Sequence, residues 1–160
     1  MANYSFTETS AILRIALRQK WPAARFGARL GRGTSTWVTV HWTDGPSEDA
    51  VQAFSTHLLN NSAGTHLVSG TLHQRSYSPA AEALVIDALE RALPEITVPR
   101  TAEGGLDTRT AHQLSHTGGI AINGRFFGAA GHTYNVPDLV QLIARTVDFD
   151  DPAAVLGAAR

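Results

Sequence analysis

Trp37-Val38-Thr39-Val40-His41-Trp42-Thr43-Asp44-Gly45-Pro46 combines a strand, a turn and the approach to a helix, and the rest of the chain is read outward from it. Val38, Val40 and Trp42 alternate with Trp37, Thr39 and His41. This two-residue period describes a strand with two different faces, and Asp44-Gly45-Pro46 stops it. The first set is the expected core face. The second, aromatic and polar, is an unusual outer face. Beyond the turn, Ser47 caps a helix whose first turn holds Glu48 and Asp49, carboxylates that favour the positive end of the helix dipole. Val51, Phe54 and Leu58 give that helix its core stripe, and Asn60-Asn61 end it.

Upstream, Thr9 or Ser10 is the expected cap of a first helix running to Lys20, with Ile12, Leu13, Ala16 and Leu17 as its apolar stripe. Arg14 and Arg18, four apart, share the opposite face. After Trp21-Pro22, the set Phe26, Ala28 and Leu30 alternates with Arg25, Gly27 and Arg29. A loop of Gly31-Arg32-Gly33-Thr34 makes this strand the antiparallel neighbour of the Trp37 strand. Downstream, residues 67–74 read as a third strand with Val68, Gly70 and Leu72 inward and Ser69, Thr71 and His73 outward, a polar series that Arg75 continues. Ser78-Pro79 opens a helix carrying Ala81, Leu84, Val85, Ala88, Leu89 and Ala92. Residues 95–118 read as a connector with a short helix over 107–116. Asn123-Gly124 between Ile120-Ala121-Ile122 and Arg125-Phe126-Phe127 is a hairpin signal. A last helix from Pro137 or Asp138 carries Leu139, Val140, Ile143 and Val147.

These elements predict an α+β fold: an antiparallel sheet of three or more strands with helices on one face, in the order α-β-β-α-β-α followed by a β-hairpin and a helix. Residues 1–97 form the α+β domain, and 98–160 a hairpin-helix extension packed on it as one compact unit. On an open second face, Arg25, Arg29, Trp37, Thr39, His41, Thr71, His73 and Arg75 would gather.

Composition narrows the chemistry. The chain has 160 residues and no cysteine, which excludes disulfides, thiolate metal sites and a cysteine nucleophile. The N-terminus lacks a signal-peptide pattern, and no run approaches the ~18 apolar residues of a membrane span. A cytoplasmic location without membrane contact is therefore expected. The net charge of −1 hides an asymmetry, because Arg14, Arg18, Lys20, Arg25, Arg29 and Arg32 face only Glu8 in the first 32 residues. The remainder is acidic. All basic residues but Lys20 are Arg, which suits bidentate recognition of phosphate or carboxylate.

The helix ending at Trp21-Pro22, the strand with Phe26 and Arg29, the Trp42-Thr43-Asp44-Gly45-Pro46 turn and the Arg75-Ser76-Tyr77-Ser78 segment carry a family resemblance. Over residues 7–90 or so, the chain resembles a domain associated with the large polyvalent proteins of phages and conjugative elements. The resemblance implies a factor of a mobile element, where nucleic-acid handling and suppression of host defence are common tasks. It transfers no catalytic residue, and roughly the last 60 residues lie outside it.

Basic and aromatic side chains interleaved on a sheet are what single-stranded nucleic acid requires, since bases stack on rings while Arg meets phosphate. Arg14, Arg18, Arg25, Arg29, Arg32, Trp37, His41, His73 and Arg75 are the candidate contacts for nucleic acid or a partner. His112 and His116 are spaced to share a helix face as metal ligands, but the segment between them lacks the Glu of zinc proteases and no third ligand is fixed. No metal or other cofactor is expected, and no catalytic residue stands out. The leading reading is a non-enzymatic binding protein of a phage or mobile element that contacts nucleic acid or a nucleoprotein and inhibits a host defence system. A second is a protein–protein inhibitor that meets a defence effector through its acidic surface, including Asp148, Asp150 and Asp151. The third is a metal-assisted hydrolase.

Overall fold

The computed structural model describes residues 2–158 and divides into two compact units, Met1–Ser76 and Tyr77–Arg160. The boundary precedes the helix at Pro79, which therefore belongs with the C-terminal residues, whereas the sequence reading carried the first domain to residue 97. The fold is α+β.

The first unit begins with β1 (Ala2–Tyr4) and α1 (Phe6–Lys20), followed by β2 (Gly27–Leu30), β3 (Trp37–Thr43), α2 (Glu48–Asn60), β4 (Gly64–His66) and β5 (Gly70–Ser76). Helix α1 starts earlier than expected. Its cap is Ser5, whose Oγ accepts from Glu8 N while the Glu8 carboxylate accepts from Ser5 N at 2.8 Å. This reciprocal box satisfies two amides that the helix cannot bond itself. It also holds the Glu8 carboxyl below its ordinary pKa, through the Ser5 amide and hydroxyl. Thr9 and Ser10 are instead buried within the helix: Ser10 Oγ donates to Ala28 O, and Thr9 Oγ1 meets His66 Nδ1 at 2.8 Å. Ser47 caps α2, as the sequence predicts.

The principal sheet has the order β2-β3-β5 and is mixed rather than antiparallel. Strands β2 and β3 pair antiparallel through the loop over residues 31–36, whereas β3 and β5 pair parallel. The parallel pairing follows from the connection. Helix α2 carries the chain back along the sheet, so β5 re-enters in the direction of β3, as in any strand-helix-strand crossover. Strands β1 and β4, absent from the sequence reading, form a separate parallel pair.

Both helices cover one face of the principal sheet. Leu17 and Val51 pack with Phe26, Val40 and Trp42, while Leu13 packs with Ala28 and Val38. The Phe26 ring has centroids of both Trp21 and Trp42 within 6 Å there, a geometry that adds to their area burial.

The turn after β3 is fixed by the end of the neighbouring parallel strand, β5. Asp44 and Gly45 take positive φ of 52° and 59°. Asp44 N donates to Ser76 O, and the Arg75 guanidinium donates to Asp44 O and Gly45 O at 2.9 and 2.7 Å. Trp42 Nε1 donates to Pro46 O from within the core. Carbonyls turned out of any ladder thus find partners, and Asp44-Gly45 of the turn and Arg75-Ser76 of β5 prove to be two halves of one clamp.

The second unit contains α3 (Pro79–Ala92), α4 (Thr108–Ala111), β6 (Ser115–Thr117), β7 (Ile120–Ile122), β8 (Arg125–Phe127), β9 (Thr133–Asn135), α5 (Val136–Ala144) and α6 (Ala153–Leu156). Ser78 caps α3 with Pro79 in the first turn. Val85 and Leu89 of α3 share a core with Ile120, Ile122, Phe127, Leu139 and Ile143. Strands β7 and β8 are the expected hairpin, with Asn123 and Gly124 both at positive φ. The connector is tied to α3 by Glu82, which accepts from Leu106 N, and by Arg100, which bonds Asp87 and Glu90 at 2.7 Å each. Helix α5 ends at Ala144, so Val147 is core but not helical.

Candidate functional site

Register decides which side chains share the uncovered face of the principal sheet. Arg29, Thr39 and Leu72 lie in one row across β2, β3 and β5, and Gly27, His41 and Gln74 in the next but one. Trp37 pairs with Gly70, and Thr43 with Ser76, along the same face. Thr39, at the centre of the middle strand, is only 9% exposed. Trp37 is 42% exposed and Leu72 49%.

Two glycines shape this surface. A Cβ on Gly70 would fall within about 3.2 Å of three Trp37 ring atoms, and a Cβ on Gly27 would collide with the His41 imidazole. Both rings therefore lie over the glycine of a neighbouring strand. With no side chain beneath them, they rest on backbone instead of standing upright, a close approach only glycine allows. The result is a low surface with two rings laid on it. Arg29 projects between their rows and borders a depression of about 340 Å³ with Arg32 and Thr39.

The structure brings together only part of the predicted set. Arg29, Trp37 and His41 share the bare face, and Arg25 and Arg32 are exposed in the segments flanking β2. His73 and Arg75 do not join them. They pair with Val40 and Trp42, which places them, with Thr71, on the helix-covered face, one residue out of phase with the sequence reading. Leu72 and Gln74 take their places outside. The alternation of residues 67–76 is readable in either phase, and the greater hydrophobicity of Leu72 favoured the wrong one. What decides the phase is the partnering of the inward side chains. Arg75 spends its donors on the turn carbonyls, and His73 lies against Trp42 at a centroid distance of 6.4 Å. Burial pushes the His73 imidazole below its ordinary pKa, opposed by the nearby Glu48 carboxylate.

Arg14 and Arg18 are exposed on α1, away from the bare face of the sheet because α1 packs on the other. Arg18 has a structural task, donating through Nε and Nη2 to Phe26 O. Arg14 is solvated. His112 and His116 do not share a helix face, since α4 ends at Ala111 and His116 lies in β6, paired with Tyr134. Among the described residues, no three or more His, Asp or Glu come together as metal ligands. Asp148 accepts from Asp150 N and so serves its own loop. No described helix is long and apolar enough to cross a membrane.

The family model described as large polyvalent protein associated domain 29 matches residues 4–78, which closely follows the extent of the first unit and takes in both halves of the Arg75 clamp. No curated protein and no solved structure matches the chain.

Proposed function

We propose, on the premise that residues 4–78 are a domain of the kind associated with large polyvalent proteins, that the bare face of the β2-β3-β5 sheet binds single-stranded nucleic acid. The chain would act as a non-enzymatic binding protein of a phage or mobile element, working on nucleic acid or a nucleoprotein, and interference with a host defence complex is the task that fits this context. The observation that carries the reading is the pair of rings, Trp37 and His41, laid over Gly70 and Gly27 with Arg29 between their rows. Flat rings on a sheet accept stacked bases without regard to sequence, and Arg25, Arg29 and Arg32 are placed in and beside β2 to meet phosphates.

Anisotropy of a labelled single-stranded oligonucleotide, measured over a salt series, tests this directly. Phosphate contacts predict that log K falls linearly with log salt, with a slope of roughly −0.7 per phosphate neutralised. Changing Arg25, Arg29 and Arg32 together to Glu abolishes low-salt binding. Absence of binding by the parent, or unchanged binding by the triple variant, removes the hypothesis. Retention of a host partner after nuclease treatment by that same triple variant would favour the acidic-surface reading instead.

A further inference from the structure

A groove of about 590 Å³ opens at the outer edge of β5, between that strand, α2 and β4. Its volume is that of a small-molecule site, roughly 300–1,000 Å³. Three features set it apart from an ordinary surface depression. First, Gln52, Thr56 and Asn60 recur every four residues along α2, so one helix face presents two amides and a hydroxyl to it. Second, none of its lining residues is an Asp, Glu, Lys or Arg, and burial holds both of its histidines, His66 and His73, below their ordinary pKa. The groove is polar but uncharged near neutral pH. Third, the Trp37 ring lies at its rim, having crossed Gly70 from the bare face of the sheet.

His73 adds an anomaly. Its Nε2 is buried without a hydrogen-bond partner, whereas His66 has both ring nitrogens engaged, with Thr9 and Ser62. A buried polar atom left unpaired is costly and calls for an explanation.

We infer that this groove is a pocket for a single unstacked nucleobase, with Trp37 stacking on its plane and Gln52 and Asn60 reading its edge. An anion has no cation to meet there, and an aliphatic ligand would leave the amides dry and unpaired. A neutral planar heterocycle with donors and acceptors on its edge satisfies both constraints, and carboxamide side chains pair with base edges in bidentate fashion. Because Trp37 belongs to both surfaces, a strand lying along the Arg29 face can turn one base over the edge of β5 into the groove. The inference rests on the nucleic-acid reading of that face and gives it a base-contacting element.

The test uses the full ¹⁵N-labelled chain titrated with adenosine, guanosine, cytidine and uridine, and the same chain with a single-stranded oligonucleotide and its abasic counterpart. Gln52 and Asn60 are exposed, so Gln52→Ala/Asn60→Ala should leave the fold intact. At least one nucleoside is expected to shift the Gln52 and Asn60 side-chain amides and the Trp37 indole. The double variant should weaken that nucleoside by about tenfold or more, and remove the preference for the intact over the abasic strand. If no nucleoside moves those signals and the variant discriminates like the parent, the groove is not a base pocket. In that case the bare-face interface still stands if both oligonucleotides bind. Nucleoside binding in the groove by a chain that binds no oligonucleotide would keep the pocket and discard the interface.

Discussion

The two faces of the β2-β3-β5 sheet are built from the same strands and follow opposite rules. On the covered face the side chains serve the scaffold: Arg75 caps carbonyls of the turn, His73 lies against Trp42, and Phe26, Val38 and Val40 fill the space under α1 and α2. On the bare face, Arg29, His41 and Gln74 show no such structural task among the described residues, and two rings lie over glycines. A sheet that sought only stability would not expose Trp37 and Leu72 together. The contrast shows that the segments carrying the resemblance in the sequence, the Asp44 turn and the Arg75 segment, belong to the scaffold. The surface argued to work carries neither.

Mutations can break this contrast from either side. The largest effect belongs to the covered face. Phe26→Ala or Trp42→Ala removes a buried ring and should destabilise by about 3–5 kcal/mol in denaturant unfolding. Trp42→Ala also leaves Pro46 O without its donor. Next comes Arg75→Met, which strips the turn carbonyls of their partner and should cost about 1–3 kcal/mol, while Arg29→Met on the bare face stays within about 0.5 kcal/mol. Equal losses at the two arginines would erase the distinction between the faces.

Acid sharpens the same comparison. Since burial lowers the pKa of His73 in the folded protein, the unfolded chain takes up that proton first as pH falls. The stability is complete above the unfolded histidine value of about 6.5 and is lost as pH drops through the depressed folded one. His66 contributes with the same sign. His73→Gln should therefore flatten the fall in stability that sets in as pH drops below about 6.5, read by denaturant unfolding over a pH series. The smallest expected effect on stability is that of Gly27→Ala. It displaces the His41 ring from the strand it lies on without touching the core, and should be read as weaker oligonucleotide binding at nearly unchanged melting temperature.

Much of this was legible in the sequence, and the failures have identifiable causes. Val38, Val40 and Trp42 were readable as core because a central strand under two amphipathic helices has one apolar phase. Strand β5 was not, because its inward residues are a threonine, a histidine and an arginine whose suitability depends on partners far away in the chain, such as the turn carbonyls at Asp44 and Gly45. The Ser5-Glu8 capping box stands at the right spacing in the sequence, whereas the expected caps Thr9 and Ser10 are buried within the helix. His112 and His116 kept their four-residue spacing but not the helix that gives this spacing meaning. Of the candidate site, Arg29, Trp37 and His41 came from alternation alone. The laying of their neighbouring rings on Gly27 and Gly70 could not, because it requires the register between strands.

The central claim is that stability and binding are assigned to opposite faces of one sheet. Its most direct test is a paired measurement on the Arg29→Glu/Trp37→Ala variant, with thermal melting and low-salt affinity for a single-stranded oligonucleotide determined on the same preparation. The expected result is a melting temperature close to that of the parent and an affinity reduced by at least about tenfold, from one lost stacking platform and one reversed charge. A variant that melts as the parent does and binds as tightly would contradict it.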